Sequence, residues 1–346
     1  MGLNGSDFNI EEVNRASKSE WDEFVHSTTG GTFFHLYDWL EITAYQAGYQ
    51  LMPVMIRDRG GVVGIAPFYR KKMAGITVCV SPPSKMSTPW AGPVFKIEQK
   101  RPNKIQKKSD ALLKALHEYL TEKAHADYIN ITTTPEITDV RPMKWLSYNS
   151  MPLYTYMVNI ENIDNAYNNF EKKIKSEIRR TQKKEEISYH CGDKQYFYKV
   201  LESVKQRYEE QGKTYPISSA RFEKILSSDL KQYVTTRSVV THKGFVTGMI
   251  LIVYKDLIHH WIGAVKPLQN YPGACDYLHW NIIKEFAEKG AKKYELMGGN
   301  TRHLIEHKAR YNGNLIPYFN SEWYNRKGRF LKEAMKVKKM FKTREQ

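Results

Sequence analysis

The pattern of apolar and polar positions predicts an α/β chain that begins with helices and a β-hairpin. Residues 18–50 place apolar side chains at helical spacing, interrupted by a Thr-Thr-Gly-Gly break. Two apolar segments, 52–56 and 62–69, flank the turn sequence RDRGG and predict paired strands. The remaining elements predicted in this half are strands 76–80, 128–132 and 157–160, a polar surface segment 97–108, and a helix 110–125 capped by Ser109.

The second half repeats this order of elements. GVVGIAPFYRK near residue 62 has a counterpart in GFVTGMILIVYK near residue 245, and in both halves a Pro/Gly-rich loop precedes a long helix and a strand. These similarities indicate a duplicated unit with loops of unequal length. The elements predicted here are helices 165–186, 194–211, a short one after Ser218-Ser219 and 275–289, and strands 234–241, 245–254, 257–265 and 293–296.

The repeat predicts a first unit over residues 1–160, a second over 161–325 and a basic C-terminal helix over 326–346. That tail carries nine Lys and Arg against two acidic residues, with apolar positions on one helical face. An amphipathic basic helix is suited either to packing against the first unit or to contact with a membrane surface.

Charge is unevenly distributed along the chain, whose formal net charge is +16. Residues 1–160 hold 18 basic and 16 acidic side chains, whereas residues 161–346 hold 35 and 21. A basic half indicates a polyanionic partner, such as RNA, a phosphorylated carrier or an anionic membrane face. The N-terminus lacks the pattern of a signal peptide and no apolar run is long enough to span a membrane, so we expect a cytoplasmic protein, with peripheral contact at the inner membrane face as an option.

The segment YELMGGNTRHLIEHKARY, residues 294–311, supports two competing hypotheses. His303, Glu306 and His307 match the pattern H-x-x-E-H of some zinc proteases. However, a Gly-Gly turn precedes the segment and Asn-Gly-Asn follows it, which leaves too short a helix, so no metal is predicted. The other hypothesis makes Lys308 a cation that holds a phosphate or an anionic intermediate.

The order of these motifs resembles the Fem family, the aminoacyl-tRNA-dependent transferases of cell-wall precursors, and their FemAB-like and BioF2-like acetyltransferase relatives. The resemblance covers about residues 20–325. It rests on FFHLYDWLE, GIAPFYRKK followed by SPPSKMSTPWAGP, SEIRRTQKKEEI, LHWNIIKEFAEKGAKKYELMGGN and IEHKARYNGNLIPYF. It implies a fold of two tandem GNAT-like acyltransferase units, each a mixed sheet flanked by helices.

Two departures from the family pattern leave the acyl donor open. The glycine-rich pyrophosphate loop of ordinary GNAT enzymes is not evident after Val265, where KPLQNYPGA stands. The helical hairpin of some tRNA-using Fem proteins is also absent from the second half. The donor is therefore either acyl-CoA or an aminoacyl-tRNA, and no tightly bound cofactor is expected.

Acyl transfer requires placement of two substrates and stabilisation of an oxyanion. Lys308 suits the catalytic role, and the resemblance implies the same position. Either His259 or His260 is a candidate general base. The predicted substrate-binding residues lie in loops, next to the Gly-Gly turn, on the basic helix or on apolar segments: Trp39, Trp90, Arg179, Arg180, Trp261, Tyr271, Asn300 and Arg302. Trp90 is expected to be exposed.

The sequence thus predicts transfer of an acyl or aminoacyl group to an amine or hydroxyl of a cell-envelope, peptidoglycan or polysaccharide precursor. The expected acceptor is anionic, a nucleotide- or lipid-linked sugar, lying near Lys308. One alternative is a CoA-dependent N-acetyltransferase of a sugar nucleotide. The other is a non-catalytic protein that binds phosphate-bearing ligands, RNA or a membrane surface through its basic half.

Overall fold

The predicted hairpin is formed by Gln50–Asp58 and Gly61–Met73, which pair antiparallel along almost their whole length. The structure is a computed structural model, and it describes residues 8–263, 271–330 and 332. The chain divides into two units, which we call the first unit (residues 1–152 and 318–346) and the second unit (153–317).

The first unit is a mixed sheet with helices. Its elements are β1 (Asn9–Glu12), α1 (Lys18–Ser27), α2 (Tyr37–Ala47), β2 (Gln50–Asp58), β3 (Gly61–Met73), β4 (Ile76–Ser81), β5 (Val94–Phe95), α3 (Pro102–Glu118), β6 (Tyr128–Thr132) and α4 (Arg141–Trp145). Strands β1 to β4 are antiparallel neighbours, and β6 pairs parallel to β4. Apolar side chains of β2, β4 and β6 pack against the buried face of α3 and form the core.

The second unit repeats the strand order of the first. After α4 the chain forms β7 (Asn149–Asn159), α5 (Ile163–Asn169), α6 (Lys172–Gln182), β8 (Ser188–Cys191), α7 (Lys194–Glu210), α8 (Ser219–Leu226), β9 (Val234–Thr241), β10 (Gly244–Tyr254), β11 (Leu257–Gly263), α9 (Ala274–Glu288), β12 (Lys293–Glu295), α10 (Arg302–Ala309) and β13 (Asn314–Tyr324). Strands β8 to β11 are antiparallel neighbours, and β12 pairs parallel to β11. The core lies between these strands and α9.

Each sheet is completed by a strand from the other half of the sequence. In the first unit β6 pairs antiparallel with the C-terminal part of β13, from Asn320 to Tyr324. In the second unit β12 pairs antiparallel with the C-terminal part of β7, from Met157 to Asn159. The compact units therefore differ from the predicted halves 1–160 and 161–325, because residues 318–325 join the first unit and residues 153–160 join the second.

Parallel strands β11 and β12 pair over three residues only, from Leu257↔Lys293 to His259↔Glu295. β11 then continues to Gly263 while β12 ends, so the two strands part at this point. In the first unit the parallel pair β4 and β6 keeps its register over four residues. His260 is thus the first residue of β11 beyond its pairing with β12.

Several predicted boundaries are corrected by the structure. The helix predicted over 110–125 begins at Pro102, a residue that fits the first turn of a helix, so Ser109 lies inside the helix and not at its cap. The helix predicted over 165–186 is two helices, α5 and α6. Phe170 separates them because its backbone is extended and its ring is buried against Trp280 and Tyr311.

Two predictions fall partly outside the described residues. Of the basic C-terminal helix predicted over 326–346, residues 326–330 are helical, whereas 331 and 333–346 are not described. The end of the strand predicted over 257–265 and most of the following loop are likewise not described. Among the helices that are described, none is both long and apolar enough to cross a membrane.

Candidate functional site

Lys308 lies in the last turn of α10 and points back at the end of β12. Its Nζ donates hydrogen bonds to the carbonyl oxygens of Leu296 and Met297, both at 2.6 Å. These carbonyls converge because Met297 and Gly298 both adopt left-handed backbone conformations, with φ of 51° and 59°. The segment entering the Gly-Gly turn therefore presents two carbonyl oxygens to a cation.

Burial lowers the pKa of Lys308 to about 8, against the opposing effect of the Glu295 carboxylate. The side chain therefore remains an ammonium at neutral pH. An ammonium has three N–H donors, and two of them are used by the backbone carbonyls. The third is suited to an anionic oxygen, either of a phosphate or of a tetrahedral intermediate.

The other predicted residues next to the turn have different roles in the structure. Asn300 pairs with the backbone of Tyr154 through two hydrogen bonds: Tyr154 N–H donates to Asn300 Oδ1 at 2.8 Å, and Asn300 Nδ2 donates to the Tyr154 carbonyl at 3.1 Å. Its amide thus extends the pairing of β7 beyond the end of β12. Arg302 is the exposed first residue of α10. A cation at a helix N-terminus opposes the helix dipole, which favours an anionic partner there.

His259 and His260 lie on opposite faces of β11, as strand alternation predicts. His259 Nδ1 forms a very short hydrogen bond with Glu295, and Thr155 Oγ1 donates to the other oxygen of that carboxylate at 2.7 Å. All three residues are buried. The buried Glu295 charge thus lies one residue before a carbonyl that binds Lys308.

His260 faces α9 and is 7% exposed. Its ring centroid lies 5.1 Å from that of His279, whose Nδ1 is 2.7 Å from the hydroxyl of Tyr294. Burial, aided by the Lys308 cation, lowers the pKa of His260 to about 3. His260 is therefore a neutral ring at physiological pH, which makes it a poor proton acceptor.

His307 of the H-x-x-E-H pattern contacts α9. Its Nε2 lies 3.0 Å from Asp276 Oδ1, and the Tyr311 hydroxyl donates to the same oxygen at 2.6 Å. The side chain of His303 lies outside the described residues. In the described part of the chain, no group of three or more His, Cys, Asp or Glu side chains is arranged to hold a metal ion.

The basic helix α6 packs against α9, the helix that carries Asp276. A Cβ on Gly273, the residue before α9, would lie 2.8 and 2.9 Å from Glu177 atoms of α6, so the two helices approach closely here. Arg179 and Arg180 lie on the exposed face of α6, and Arg180 forms an ion pair with Glu177. Tyr271 is half-buried beside the same helices, with Lys184 Nζ 4.9 Å from its ring centroid.

The predicted tryptophans are buried. Trp39 is 0% exposed in the first unit, with ring centroids 5.0 Å from Phe33 and 5.5 Å from Phe34. Trp261 is 6% exposed in the second unit and lies 5.7 Å from the ring of Phe222. Burial and ring packing explain Trp39 and Trp261 as core residues. Contact of either residue with substrate stays a prediction.

Trp90 corrects the expectation of an exposed aromatic, because its side chain is 1% exposed. The following loop residues fold back onto β6, where the N–H groups of Ala91 and Gly92 donate to the Thr132 carbonyl. This contact carries the indole inward, and its ring lies 5.2 Å from that of Tyr318. A Pro/Gly-rich composition indicates a loop but does not show which of its side chains turn inward.

Sequence reasoning missed Asp276 and Tyr311. Asp276 lies in the predicted helix 275–289, and Tyr311 ends the segment 294–311, where Lys308 and the histidines stood out. The available signal was their type and position: a carboxylate in the first turn of a helix, and a tyrosine four residues after a histidine.

Comparisons with known proteins agree with this architecture. Residues 168–308 match the family described as Acetyltransferase (GNAT) domain. No curated protein matches the chain by sequence.

Solved structures match the fold over nearly the whole chain. A crystal structure of FemX is 15% identical, covering 90% of this chain and 96% of that one, with a TM-score of 0.66. The C-terminal domain of a putative lysylphosphatidylglycerol synthetase from Agrobacterium fabrum is 9% identical, covering 94% and 97%, with a TM-score of 0.57. L-PGS from Bacillus licheniformis is 12% identical, covering 91% and 94%, with a TM-score of 0.51. The chain therefore shares the fold of FemX over nearly its whole length, and its residues 168–308 match a GNAT domain.

Proposed function

We propose that this chain transfers an acyl or aminoacyl group to an amine or hydroxyl of an anionic cell-envelope or polysaccharide precursor, with Lys308 as the catalytic cation. The observation that supports this most directly is the Lys308 ammonium, held by two backbone carbonyls and retaining one N–H. Because burial reduces screening by water, such a donor stabilises a developing oxyanion more strongly than a surface lysine does.

An acceptor that carries phosphate is supported by charge. Residues 161–346 hold most of the positive charge of the chain, and α6 presents Arg179 and Arg180 close to the start of α9. Arg302 adds a cation at the start of α10. Arginine binds phosphate through paired N–H groups, so a nucleotide-linked or lipid-linked sugar is the acceptor class that we propose. The lysylphosphatidylglycerol synthetase among the similar folds is consistent with a lipid-linked acceptor and peripheral contact with membrane.

Two donors remain in the proposal, each with its own support. The match to an acetyltransferase domain favours an acyl-CoA. The similarity in fold to FemX and the basic surface favour an aminoacyl-tRNA, since many phosphate contacts contribute to tRNA binding. Thermal stabilisation by CoA would identify the first donor, and co-purification of tRNA that is lost at high salt would identify the second.

The activity test uses the full-length chain with acyl-CoA and aminoacyl-tRNA donors. Acceptors are nucleotide-linked sugars, lipid-linked sugars and vesicles containing phosphatidylglycerol. We expect transfer with one donor class and a large loss of rate in Lys308→Ala. Lys205→Ala is the matched control, because Lys205 lies on α7 of the same unit and its side chain is 67% exposed.

Each outcome of this test has a defined meaning. Transfer by the wild type and by Lys205→Ala, but not by Lys308→Ala, supports both the activity and the site. Equal transfer by the wild type and both variants would show that Lys308 is not the catalytic cation. Binding of phosphate-bearing ligands without transfer from any donor would replace the enzyme proposal with the non-catalytic alternative.

A further inference from the structure

We infer that His307 is the general base of the transfer reaction, and that Asp276 and Tyr311 position its imidazole. This inference rests on the proposed function. An amine or hydroxyl that attacks an acyl group must lose a proton, and Lys308 cannot accept it while it serves as a cation. A second group with a lone pair is therefore needed in the same unit.

The other histidines of this region are unsuited to that role. His260 and His279 are buried and are held in the neutral form by desolvation, so they do not exchange protons readily near pH 7. His259 is buried and bonded to Glu295. By contrast, the His307 side chain is 45% exposed, so it is open to solvent while Asp276 holds it.

The contacts of His307 determine which of its ring nitrogens is available. Asp276 Oδ1 lies 3.0 Å from Nε2, and a carboxylate only accepts hydrogen bonds, so Nε2 carries the proton in the neutral ring. Nδ1 then carries the lone pair. A base whose second nitrogen is held by a carboxylate is the arrangement that fixes tautomer and orientation and stabilises the imidazolium that forms.

Asp276 is itself held rigidly. Its side chain is 11% exposed, and the Tyr311 hydroxyl donates to the same Oδ1 at 2.6 Å. Burial and the neighbouring carboxylate raise the pKa of Tyr311 well above its ordinary value, so the phenol stays a donor. The Tyr311 ring packs against Phe170 and His279, with centroids at 5.3 and 4.9 Å.

His307 and Lys308 are consecutive residues in the last turn of α10. His307 Nε2 meets Asp276 of α9, and Lys308 Nζ meets the carbonyls of Leu296 and Met297. The titratable groups near His307 are Asp276 and His279 from α9, His260 from β11 and Tyr311 from the segment after α10. Because they are adjacent in one turn of α10, we place the cation and the base at the same acceptor.

The step balances without any further reagent. The acceptor nitrogen or oxygen forms a bond to the acyl carbon, and its proton passes to His307 Nδ1. The carbonyl oxygen becomes an oxyanion opposite the Lys308 ammonium. When the intermediate collapses, the bond to the thiolate of CoA or to the ribose oxygen of the tRNA breaks. The imidazolium returns its proton to that leaving group.

The test compares His307→Gln with the wild type over pH 5–9. Glutamine retains an N–H donor for Asp276 but supplies no base. We expect a fall in kcat of about 10²–10⁴-fold, the range for general bases, and loss of the acid limb that a histidine base produces. Asp276→Asn should also lower kcat and alter the acid limb, because an amide no longer selects the Nε2–H tautomer. His190→Gln is the control, since His190 is an exposed histidine of the same unit.

A purely structural tie between α9 and α10 predicts a different result. In that case His307→Gln would keep the kcat and pH profile of the wild type, and the inference would be overturned while the proposed transferase activity stood. A ¹⁵N spectrum of the His307 ring supplies a readout without substrate. The Nε2–H tautomer is expected, and the Nδ1–H tautomer would refute the assignment. If the wild type transfers nothing from any donor, both proposals fail together.

Discussion

The ammonium of Lys308 lies 2.6 Å from the carbonyl oxygen of Leu296, joining the last turn of α10 to the end of β12. The contact holds a cation on the backbone and leaves the charge without a carboxylate hydrogen bond. Glu295, whose charge acts on Lys308, is instead bonded to His259 and Thr155. Such an arrangement costs stability and preserves positive charge for an anion.

Replacement of Lys308 by Met should lower kcat/KM by about 10²–10³-fold, the scale for losing one oxyanion donor. Met is unbranched and only one heavy atom shorter than Lys, so the loss mainly reports the charge and not a large cavity. In the wild type the rate should fall as pH rises through about 8, because the ammonium then loses its proton. The measurement is kcat/KM between pH 6 and 10, and a flat profile from pH 8 to 10 would contradict the role.

The same residue should produce a pH dependence of stability. Its pKa is about 8 in the fold and 10.5 as the ordinary value, so the unfolded chain binds the additional proton between these pH values. The free energy of unfolding should therefore rise with pH in this window, by about 3 kcal/mol relative to Lys308→Met. The penalty is fully present below pH 8. Urea denaturation of the wild type and Lys308→Met at pH 7.5 and 10 measures how the free energy of unfolding of each changes with pH. The same change in both proteins would refute the prediction.

Glu285 should make the second unit sensitive to acid. Arg237 donates to both of its carboxylate oxygens, at 2.7 and 2.6 Å, and the Arg237 side chain is 6% exposed. Burial alone would raise the pKa of Glu285, but hydrogen bonds from Arg237, Lys289 and Tyr189 outweigh it and lower the pKa to about 2. The stabilisation is thus present above pH 4.5 and is lost as pH falls through 2.

Glu285→Gln should lower the free energy of unfolding at pH 7 by about 3–5 kcal/mol, because it leaves a buried guanidinium without its counter-charge. Lys289→Gln is the control: Lys289 binds the same carboxylate, but its side chain is 60% exposed, and a cost below about 1 kcal/mol is expected. Denaturant unfolding of the two variants separates these cases. An equal loss of unfolding free energy in Glu285→Gln and Lys289→Gln would show that burial does not determine how strongly each ion pair stabilises the fold.

Gly299→Ala should lower stability and activity together. A Cβ at this position would overlap the carbonyl oxygen of Tyr154, and backbone atoms cannot move aside as a flexible side chain can. We expect a loss of about 1–3 kcal/mol, typical of overpacking, with displacement of the carbonyls that hold Lys308. Gly60→Ala is the control, since the nearest atom to its added Cβ is 3.4 Å away. Calorimetry and kcat/KM of both variants test this, and an unchanged Gly299→Ala protein would contradict it.

Much of the local structure could be predicted from the sequence. The hairpin around Gly60, the helix stop at Gly290 and the alternation of His259 and His260 follow from turn residues and periodicity, which act over a few residues. Pro102 and Phe170 show where such patterns fail. The polar residues after Pro102 form the exposed first turns of α3, although their composition predicted a surface segment. The buried ring of Phe170 separates α5 from α6, although the local sequence predicted one continuous helix.

The sequence by itself determined the tandem α/β order, the unequal charge of the two halves and the importance of Lys308 as a candidate. Only the tertiary structure decided that β13 completes the first sheet and β7 the second, that Trp90 turns inward, and that His307 meets Asp276. The physical reason is the separation along the chain over which each interaction acts. Periodicity and turn chemistry report which side chains are buried near their own position, whereas strand exchange and the His307–Asp276 contact depend on the free energy of pairing segments far apart in the chain.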